Sequence, residues 1–258
     1  MISDKAIVDK NIKFETDIEI GPFSIIGQHV KIGKRVRVHS HVVINGETSI
    51  SDDSEIYPFA SIGSNPQSFK FKGEKTKILI GKNNKIREYV TINPGTQFGG
   101  GVTMIGDNCL FMISSHVAHD CKIGNNVVLA NNVAIAGHVE IGDNVIIGGN
   151  SAVHQFTRIG KYAIVGGMTG VDKDIIPYGF VTGNRAHLDG INIIGMKRAG
   201  VSGDEINALN RAIKIIFSND HLREGIKEAK KLRSFKTVNE VIEFLEQSEK
   251  RPICRPLA

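Results

Sequence analysis

Residues 121–148 read CKIGNNVVLANNVAIAGHVEIGDNVIIG, and an aliphatic residue stands at every sixth position of this stretch. These residues are Ile123, Leu129, Ile135, Ile141 and Ile147. A helix repeats about every 3.6 residues and an ordinary strand about every two, so neither explains a period of six. That period is typical of hexapeptide repeats, which wind into a parallel β-helix. The sequence therefore predicts a coil of short strands around an aliphatic interior.

The same period extends in both directions from this stretch. It runs from Ile2 to Ile62, resumes from Ile80 to Phe98, and continues after a one-residue slip from Ile105 to Val171. A small or β-branched residue usually stands two positions before the aliphatic one, as Cys121 and Val127 do. Side chains two apart on a strand share a face, so each strand places one large and one small residue in the interior. Three such faces close one circuit of eighteen residues.

Glycine often follows the large aliphatic residue, as at Gly124, Gly142 and Gly148. Because glycine adopts dihedral angles that other residues avoid, we expect these glycines to turn the chain at the corners of the coil.

The end of the repeats divides the 258-residue chain into two predicted domains. Residues 1–184 form the β-helix and residues 185–258 a small α-helical domain, so the predicted fold class is mainly β. Residues 202–205 and 237–240 read as capping boxes, each followed by apolar residues at helical spacing. We expect a further helix over residues 222–233.

Two breaks interrupt the repeats. Residues 64–77 are too long and too charged to remain in the coil, and they are predicted to form an ejected loop that covers a ligand. Gly99, Gly100 and Gly101 precede the phase slip, where they allow the backbone to leave the coil and rejoin it.

The amino-acid composition of the chain limits the classes of function that the protein can have. The net charge is +5, and residues 185–258 carry 14 Lys and Arg against 10 Asp and Glu, which suits an acidic partner. With no tryptophan and no recognition motif, nucleic-acid binding has no support. We predict neither a membrane span nor a signal peptide, so the chain is not expected to be an integral membrane protein. Its three cysteines suggest no disulfide framework and fit a cytoplasmic protein.

Four histidines fall close together when the chain is wound at eighteen residues per circuit: His116, His119, His138 and His154. Asp120 can orient the ring of His119 if a local turn brings the two side chains together. Two kinds of chemistry fit this strip of four histidines. A neutral imidazole acts as a general base on a hydroxyl, or three imidazoles bind zinc, as in β-helix proteins that resemble carbonic anhydrases. We therefore predict a functional site here.

The strip also carries a resemblance to a known family. The chain resembles the UDP-N-acetylglucosamine 3-O-acyltransferases over essentially its whole length. The resemblance is carried by Gly148-Gly149 and by the strings 116–121, 129–132, 136–139, 152–156 and 195–198. It implies a left-handed coil, although the usual crossover rule favours the right-handed one. It also implies a homotrimer with sites between subunits, and neither cofactor nor metal. The implied reaction moves a 3-hydroxyacyl chain from acyl carrier protein to the 3-position of UDP-N-acetylglucosamine, the first step of lipid A biosynthesis.

The resemblance assigns roles by position. It makes His119 the general base, Asp120 the carboxylate that holds it, and Gly137 the backbone donor to the oxyanion. Gly167 is implied to leave room for a long acyl chain, and Cys121 is interpreted as a packed residue rather than a nucleophile. Substrate contacts are implied for Gln67, Ser68, Lys70, His116, His138, His154, Gln155, Asn192 and Arg198.

Three positions depart from the family pattern. Ser68 stands where many members have Asp, Ile194 where some have Glu, and Asn93-Pro94 where a pair containing histidine is usual. Serine does not replace a carboxylate as an acceptor, so the substrate could instead be the 3-amino analogue of the UDP-sugar. Three rival functions stay open: a zinc-dependent enzyme resembling carbonic anhydrases, an N-acylating enzyme from later in the same pathway, and a non-catalytic scaffold.

Overall fold

The computed structural model describes residues 1–12, 14–219, 221–247 and 251–257. Over these residues the chain winds as a left-handed parallel β-helix and ends in a helical region. The predicted fold class is therefore confirmed.

The coil consists of very short strands joined by turns. In chain order they are β1 (Ile7–Val8), β2 (Glu19–Ile20), β3 (Ile25–Ile26), β4 (Lys31–Ile32), β5 (Arg37–Val38), β6 (Val43–Ile44), β7 (Glu47–Ile50), β8 (Glu55–Ile56), β9 (Ser61–Ile62), β10 (Lys77–Ile80), β11 (Lys85–Ile86), β12 (Thr91–Ile92), β13 (Val102–Ile105), β14 (Leu110–Phe111), β15 (His116–Val117), β16 (Lys122–Ile123), β17 (Val128–Leu129), β18 (Ala134–Ile135), β19 (Glu140–Ile141), β20 (Ile146–Ile147), β21 (Ala152–Val153), β22 (Arg158–Ile159), β23 (Ile164–Val165), β24 (Gly170–Val171), β25 (Gly179–Thr182) and β26 (His187–Ile191). The helices are α1 (Ile193–Arg198), α2 (Gly203–Ser218), α3 (Leu222–Ala229) and α4 (Lys236–Glu246), with 3₁₀ turns at Gln97–Gly99 and Lys230–Leu232.

Three sheets form the faces of the prism. The first runs β1-β3-β6-β9-β12-β15-β18-β21-β24, the second β22-β19-β16-β13-β10-β7-β4, and the third β2-β5-β8-β11-β14-β17-β20-β23-β25-β26. Among the described residues, the paired strands are parallel except for β25 and β26, which are antiparallel.

The register shows where the chain leaves the coil. His116 pairs with Ala134, eighteen residues on, as the period predicts. Lys77, however, pairs with Glu47, 30 residues earlier, and with Val102, 25 residues later. These longer circuits contain the two predicted breaks, the first between β9 and β10 and the second between β12 and β13. The division into domains at residue 184 stays a prediction, since β26 continues the strands to Ile191.

The interior is filled by the periodic residues. Ile44, Ile62, Ile92 and Ile135 are fully buried, and burying such a side chain contributes about 1.5–3 kcal/mol. Phe98 was predicted to belong to this series, but it lies on a 3₁₀ turn and is 78% exposed. The prediction was wrong because the chain has left the coil at that point.

Gly124, Gly142 and Gly148 do not adopt the left-handed conformation, so the predicted reason was wrong at these corners, whereas Gly63 (φ 86°) fits it. The left-handed conformation falls three positions after the aliphatic residue, as at Asn126 and Asn132 (φ 56° and 60°). Gly124 has an ordinary φ, but a Cβ there would lie 2.5 Å from Asp143 Oδ1 and 2.8 Å from Asp143 N of the next circuit. Glycine is needed at such corners because successive circuits approach closely.

The helical region confirms one predicted cap and corrects the other. Ser202 caps α2 by accepting a hydrogen bond from Glu205 N. The Glu205 carboxylate instead accepts from Lys236 N and Thr237 N, each at 2.9 Å, and so caps α4. Thr237 lies inside α4 and is not its N-cap, so the second capping box was wrong. The helix predicted over residues 222–233 is confirmed as α3 and the following 3₁₀ turn.

Candidate active site

His119 and Asp120 meet through the local turn that their contact requires. Asp120 adopts a left-handed conformation, with φ 60°, in the turn that follows β15. This conformation turns the two neighbouring side chains to the same side, and His119 Nδ1 lies 2.8 Å from Asp120 Oδ2. The His119 side chain is 11% exposed, and the Asp120 side chain is not exposed at all.

The Asp120 carboxylate is held by donors on both oxygens. Thr96 N donates to Oδ1 at 2.9 Å, and Thr96 Oγ1 donates to Oδ2 at 2.6 Å. Burial alone would raise the pKa of Asp120, but the hydrogen bonds from His119 and Thr96 outweigh it and hold this pKa below its ordinary value. The carboxylate is therefore ionised at neutral pH and fixed in one orientation.

Gly137 brings its backbone directly against the imidazole of His119. A Cβ at this position would lie 2.6 Å from His119 Cε1 and 2.8 Å from His119 Nε2. Contacts this short require a glycine. The backbone N–H of Gly137 has no hydrogen-bond partner among the described residues.

His138 lies one circuit further along and completes a three-residue cluster. Its Nε2 is 3.9 Å from Asp120 Oδ2, its ring packs edge-on against His119, and the ring of Phe156 stacks on its other side. His119, Asp120 and His138 could together hold a metal ion. This set has two imidazoles and one carboxylate, whereas the zinc hypothesis predicts three imidazoles.

A groove of about 440 Å³ opens above this cluster. Alanine stands at outward strand positions on its wall, at Ala134 and Ala152, whereas the neighbouring sheet carries Lys122 and Glu140 outward. Small side chains leave the space that long charged ones would fill. The groove is lined by Gln67, Asn93, His116, Ala118, His119, Ala134, Ile135, Ala136, Gly137, Ala152, Val153, His154 and Gln155.

Five of the predicted residues thus line one groove with His119 and Gly137, or lie directly beside it. Gln67, His116, His154 and Gln155 belong to its wall, and His138 packs against His119. His116 Nδ1 lies 2.7 Å from the Thr91 hydroxyl. Its burial, and then the neighbouring His119, lower the pKa of His116 from the ordinary value, which favours the neutral ring.

Other predicted residues lie away from the groove lining. Asn192 caps α1, accepting from Gly195 N and donating to Tyr162 O. Arg198 is the last residue of α1, and Lys70 is exposed in the loop between β9 and β10. Ser68 forms hydrogen bonds within the same loop, with Pro66, Lys70 and Phe71. Gly167 is exposed elsewhere on the coil.

The prediction missed Thr96, Thr91 and Phe156, each of which touches a histidine or the carboxylate of the site. Phe156 lies eighteen residues after His138, which is one circuit of the coil, so the period could have predicted its place beside that histidine. Thr96 could not be found in this way because its segment leaves the coil.

The coil and its histidine-lined groove define the class of hexapeptide-repeat transferases. Residues 102–137 match the family described as bacterial transferase hexapeptide, six repeats. Residues 174–254 match UDP N-acetylglucosamine O-acyltransferase, domain 2. The chain belongs to the UDP-N-acetylglucosamine O-acyltransferase family.

Curated relatives and solved structures agree over the full length. An acyl-carrier-protein-dependent UDP-N-acetylglucosamine O-acyltransferase from Rickettsia canadensis is 52% identical over 251 residues, covering 96% of this chain and 95% of the relative. The enzyme of the same name from Thermodesulfovibrio yellowstonii is 46% identical, covering 97% of each chain. The structure of LpxA from Acinetobacter baumannii is 43% identical, covers 98% of this chain and 99% of its own, and superposes with a TM-score of 0.94.

Proposed function

We propose that the protein transfers a 3-hydroxyacyl chain from acyl carrier protein to the 3-hydroxyl of UDP-N-acetylglucosamine, the first step of lipid A biosynthesis, with His119 as general base. The observation that carries this proposal is the 2.8 Å contact between Nδ1 of His119, which lines the groove, and Oδ2 of the buried Asp120. The relatives are named for O-acyl transfer to the hydroxyl sugar. We therefore favour that sugar over its 3-amino analogue, and acyl transfer over the zinc reaction.

In the proposed reaction, the imidazole moves one proton. His119 donates from Nδ1 to Asp120, which leaves Nε2 free to accept the proton of the sugar 3-hydroxyl. The hydroxyl oxygen attacks the thioester carbonyl carbon, a C–O bond forms, and the C–S bond breaks. The proton on His119 then passes to the departing thiolate. The buried thiol of Cys121 takes no part, because burial raises its pKa to about 12.

Gly137 is proposed to stabilise the oxyanion that forms when the hydroxyl attacks. Its N–H has no partner among the described residues, and Gly137 lies beside the His119 ring, which a Cβ at this position would meet at 2.6 Å. A donor aimed at such an oxyanion contributes about 10²–10³ in rate. A glycine is also required here for close packing, so one residue serves both needs.

Gly167 is proposed to set acyl length. A Cβ there would meet only Gly149 O at 3.4 Å and Gly149 N at 4.0 Å, and both are ordinary contacts. The fold therefore does not require glycine at position 167, unlike position 124 or 137. An open position that packing does not demand supports a role in leaving space for a long chain.

The remaining predicted contacts are proposed to come together in a homotrimer. Asn192 and Arg198 do not line the groove of their own chain, so a neighbouring copy would have to present them there. A guanidinium such as that of Arg198 suits the pyrophosphate of the nucleotide. Ser68, Lys70 and Gln67 would reach the sugar from the loop between β9 and β10.

Acyl carrier protein, which is acidic, is proposed to be attracted by the positive charge of residues 185–258.

The described helices include none that is long and apolar enough to cross a membrane. The three cysteines are unpaired, and we propose a cytoplasmic location because free thiols persist in that reducing compartment.

The test is to incubate the purified protein with UDP-N-acetylglucosamine and a panel of 3-hydroxyacyl carrier-protein thioesters, and to measure the masses of the products by mass spectrometry. We expect one added hydroxyacyl group and a faster rate than with the 3-amino analogue of the sugar. No acylated product with any member of the panel would contradict the proposal.

A further inference from the structure

The segment 93–101 is inserted into the coil directly beside the Asp120 carboxylate. It lies in the circuit that contains 25 residues instead of eighteen, and it includes the 3₁₀ turn Gln97–Gly99. The insertion folds back so that Thr96 reaches both oxygens of Asp120, at 2.9 Å from its N–H and 2.6 Å from its hydroxyl. On the opposite side, Thr103 Oγ1 accepts from Asp120 N at 2.9 Å.

Two glycines of this segment let it approach the carboxylate closely. A Cβ at Gly99 would lie 2.0 Å from Asp120 Cγ, and a Cβ at Gly95 would lie 2.8 Å from Asp120 Oδ1. The side chain of Asp120 has no exposed surface as a result. The segment contributes no charged side chain. Among the described residues, the titratable groups beside Asp120 are His119, His138 and the buried thiol of Cys121.

The arrangement of donors fixes the plane of the carboxylate. Oδ2 is shared between Thr96 Oγ1 and His119 Nδ1, while Oδ1 is held by Thr96 N. With both oxygens held, Asp120 can present Oδ2 to His119 in one direction. The imidazole is thereby kept with Nδ1 as the donor and Nε2 as the acceptor.

We propose that the segment 93–101 is a device that positions Asp120, and that Thr96 is a positioning residue for the proton transfer by His119. The inference rests on the proposed function and extends it to a buried residue that does not line the groove. Its action is indirect, through the carboxylate and then the imidazole.

The test compares Thr96→Val with Thr96→Ser. Valine keeps the shape and the backbone donor but removes the hydroxyl, and serine restores it. We expect Thr96→Val to lower kcat about 10- to 100-fold, because a hydrogen bond to a charged group is lost, while KM for the UDP-sugar stays within about twofold. A carboxylate with fewer donors holds protons more tightly, so the acidic limb of the kcat/KM profile should move to higher pH. Thr96→Ser should restore both kcat and the profile.

Thr157→Val is the matched control. Thr157 is fully buried in the coil and its hydroxyl has no hydrogen-bond partner among the described residues, so this variant should keep wild-type kinetics. Melting temperatures of all variants verify folding. Wild-type kcat and pH profile in Thr96→Val, or a failure of Thr96→Ser to restore them, would overturn the inference and leave the proposed function standing. Inactivity of the wild-type protein would instead overturn the proposed function.

Discussion

The chemistry of His119 depends on the backbone of the residue that follows it. Neighbouring side chains on an extended strand point to opposite faces. Asp120 escapes this rule because its φ of 60° places it in the left-handed region, and only then can its carboxylate reach Nδ1 of His119. The equivalent turn position at other corners of the coil is occupied by asparagine, for example at Asn126 and Asn144. One corner of the coil has thus been given a carboxylate that orients an imidazole.

Gly137→Ala tests the packing of the imidazole at the scale of one residue. The new Cβ would lie within 2.8 Å of His119 Nε2, so the ring must move, and misplacement by about 1 Å can cost about 10² in rate. We expect kcat to fall by about 10² with a small change in melting temperature, measured by steady-state kinetics and calorimetry. Gly203→Ala is the control, because a Cβ there meets nothing within 4 Å. Normal turnover by Gly137→Ala would contradict the packing account.

At the scale of the element, the coil is a stack of circuits whose corners nearly touch. Gly124→Ala should therefore destabilise the coil, since its Cβ would lie 2.8 Å from the backbone nitrogen of Asp143. We expect a cost of about 1–3 kcal/mol in the free energy of unfolding, measured by urea denaturation. Gly170→Ala is the control in the same coil, where a Cβ has no contact shorter than 3.6 Å. Equal stability of the two variants would show that the corner glycines do not serve close approach.

The helical region depends on a cap that comes from another helix. The Glu205 carboxylate accepts hydrogen bonds from Lys236 N and Thr237 N at the start of α4. Burial raises the pKa of Glu205, but the hydrogen bond from the Thr237 hydroxyl, together with those from the two backbone N–H groups, outweighs it and holds the pKa below the ordinary value of 4.5. A depressed folded-state pKa contributes stability that is present above the unfolded value and lost as pH falls through the folded one.

Glu205→Ala should accordingly cost about 0.5–2 kcal/mol at neutral pH, the typical cost of losing a cap. The difference from wild type should shrink as the pH falls below the ordinary pKa of 4.5. Denaturation curves over a pH series measure both effects. Asp204→Ala, which alters the first turn of α2 without touching α4, should cost only about 0.3–1 kcal/mol. A pH-independent cost for Glu205→Ala would argue against the cap.

At the scale of the whole molecule, the groove of one chain holds only part of the predicted contacts. Asn192 and Arg198 do not line it, which is why we propose a homotrimer. Light scattering on the purified protein should give a mass about three times the 28.1 kDa of one chain. A fully active monomer would contradict this arrangement.

The sequence predicted the architecture and the histidine strip because both follow from one period. Once His119 and His138 are assigned to successive circuits, their proximity is fixed by the geometry of the coil. Thr96 escaped prediction because its segment leaves the coil, so its position has no relation to the period. The same reason explains Phe98, whose place in the series was coincidental. The cap by Glu205 was not predicted because its residues, Glu205 in α2 and Lys236 in α4, are 31 positions apart in the chain.

The most direct test of the central claim compares the wild-type protein with His119→Ala, using UDP-N-acetylglucosamine and a hydroxyacyl carrier-protein thioester. Removing a general base should lower kcat by about 10²–10⁴, with the melting temperature unchanged. His29→Ala, at an exposed position outside the groove, serves as the control and should remain fully active. Wild-type turnover by His119→Ala would contradict the account, whatever the fold.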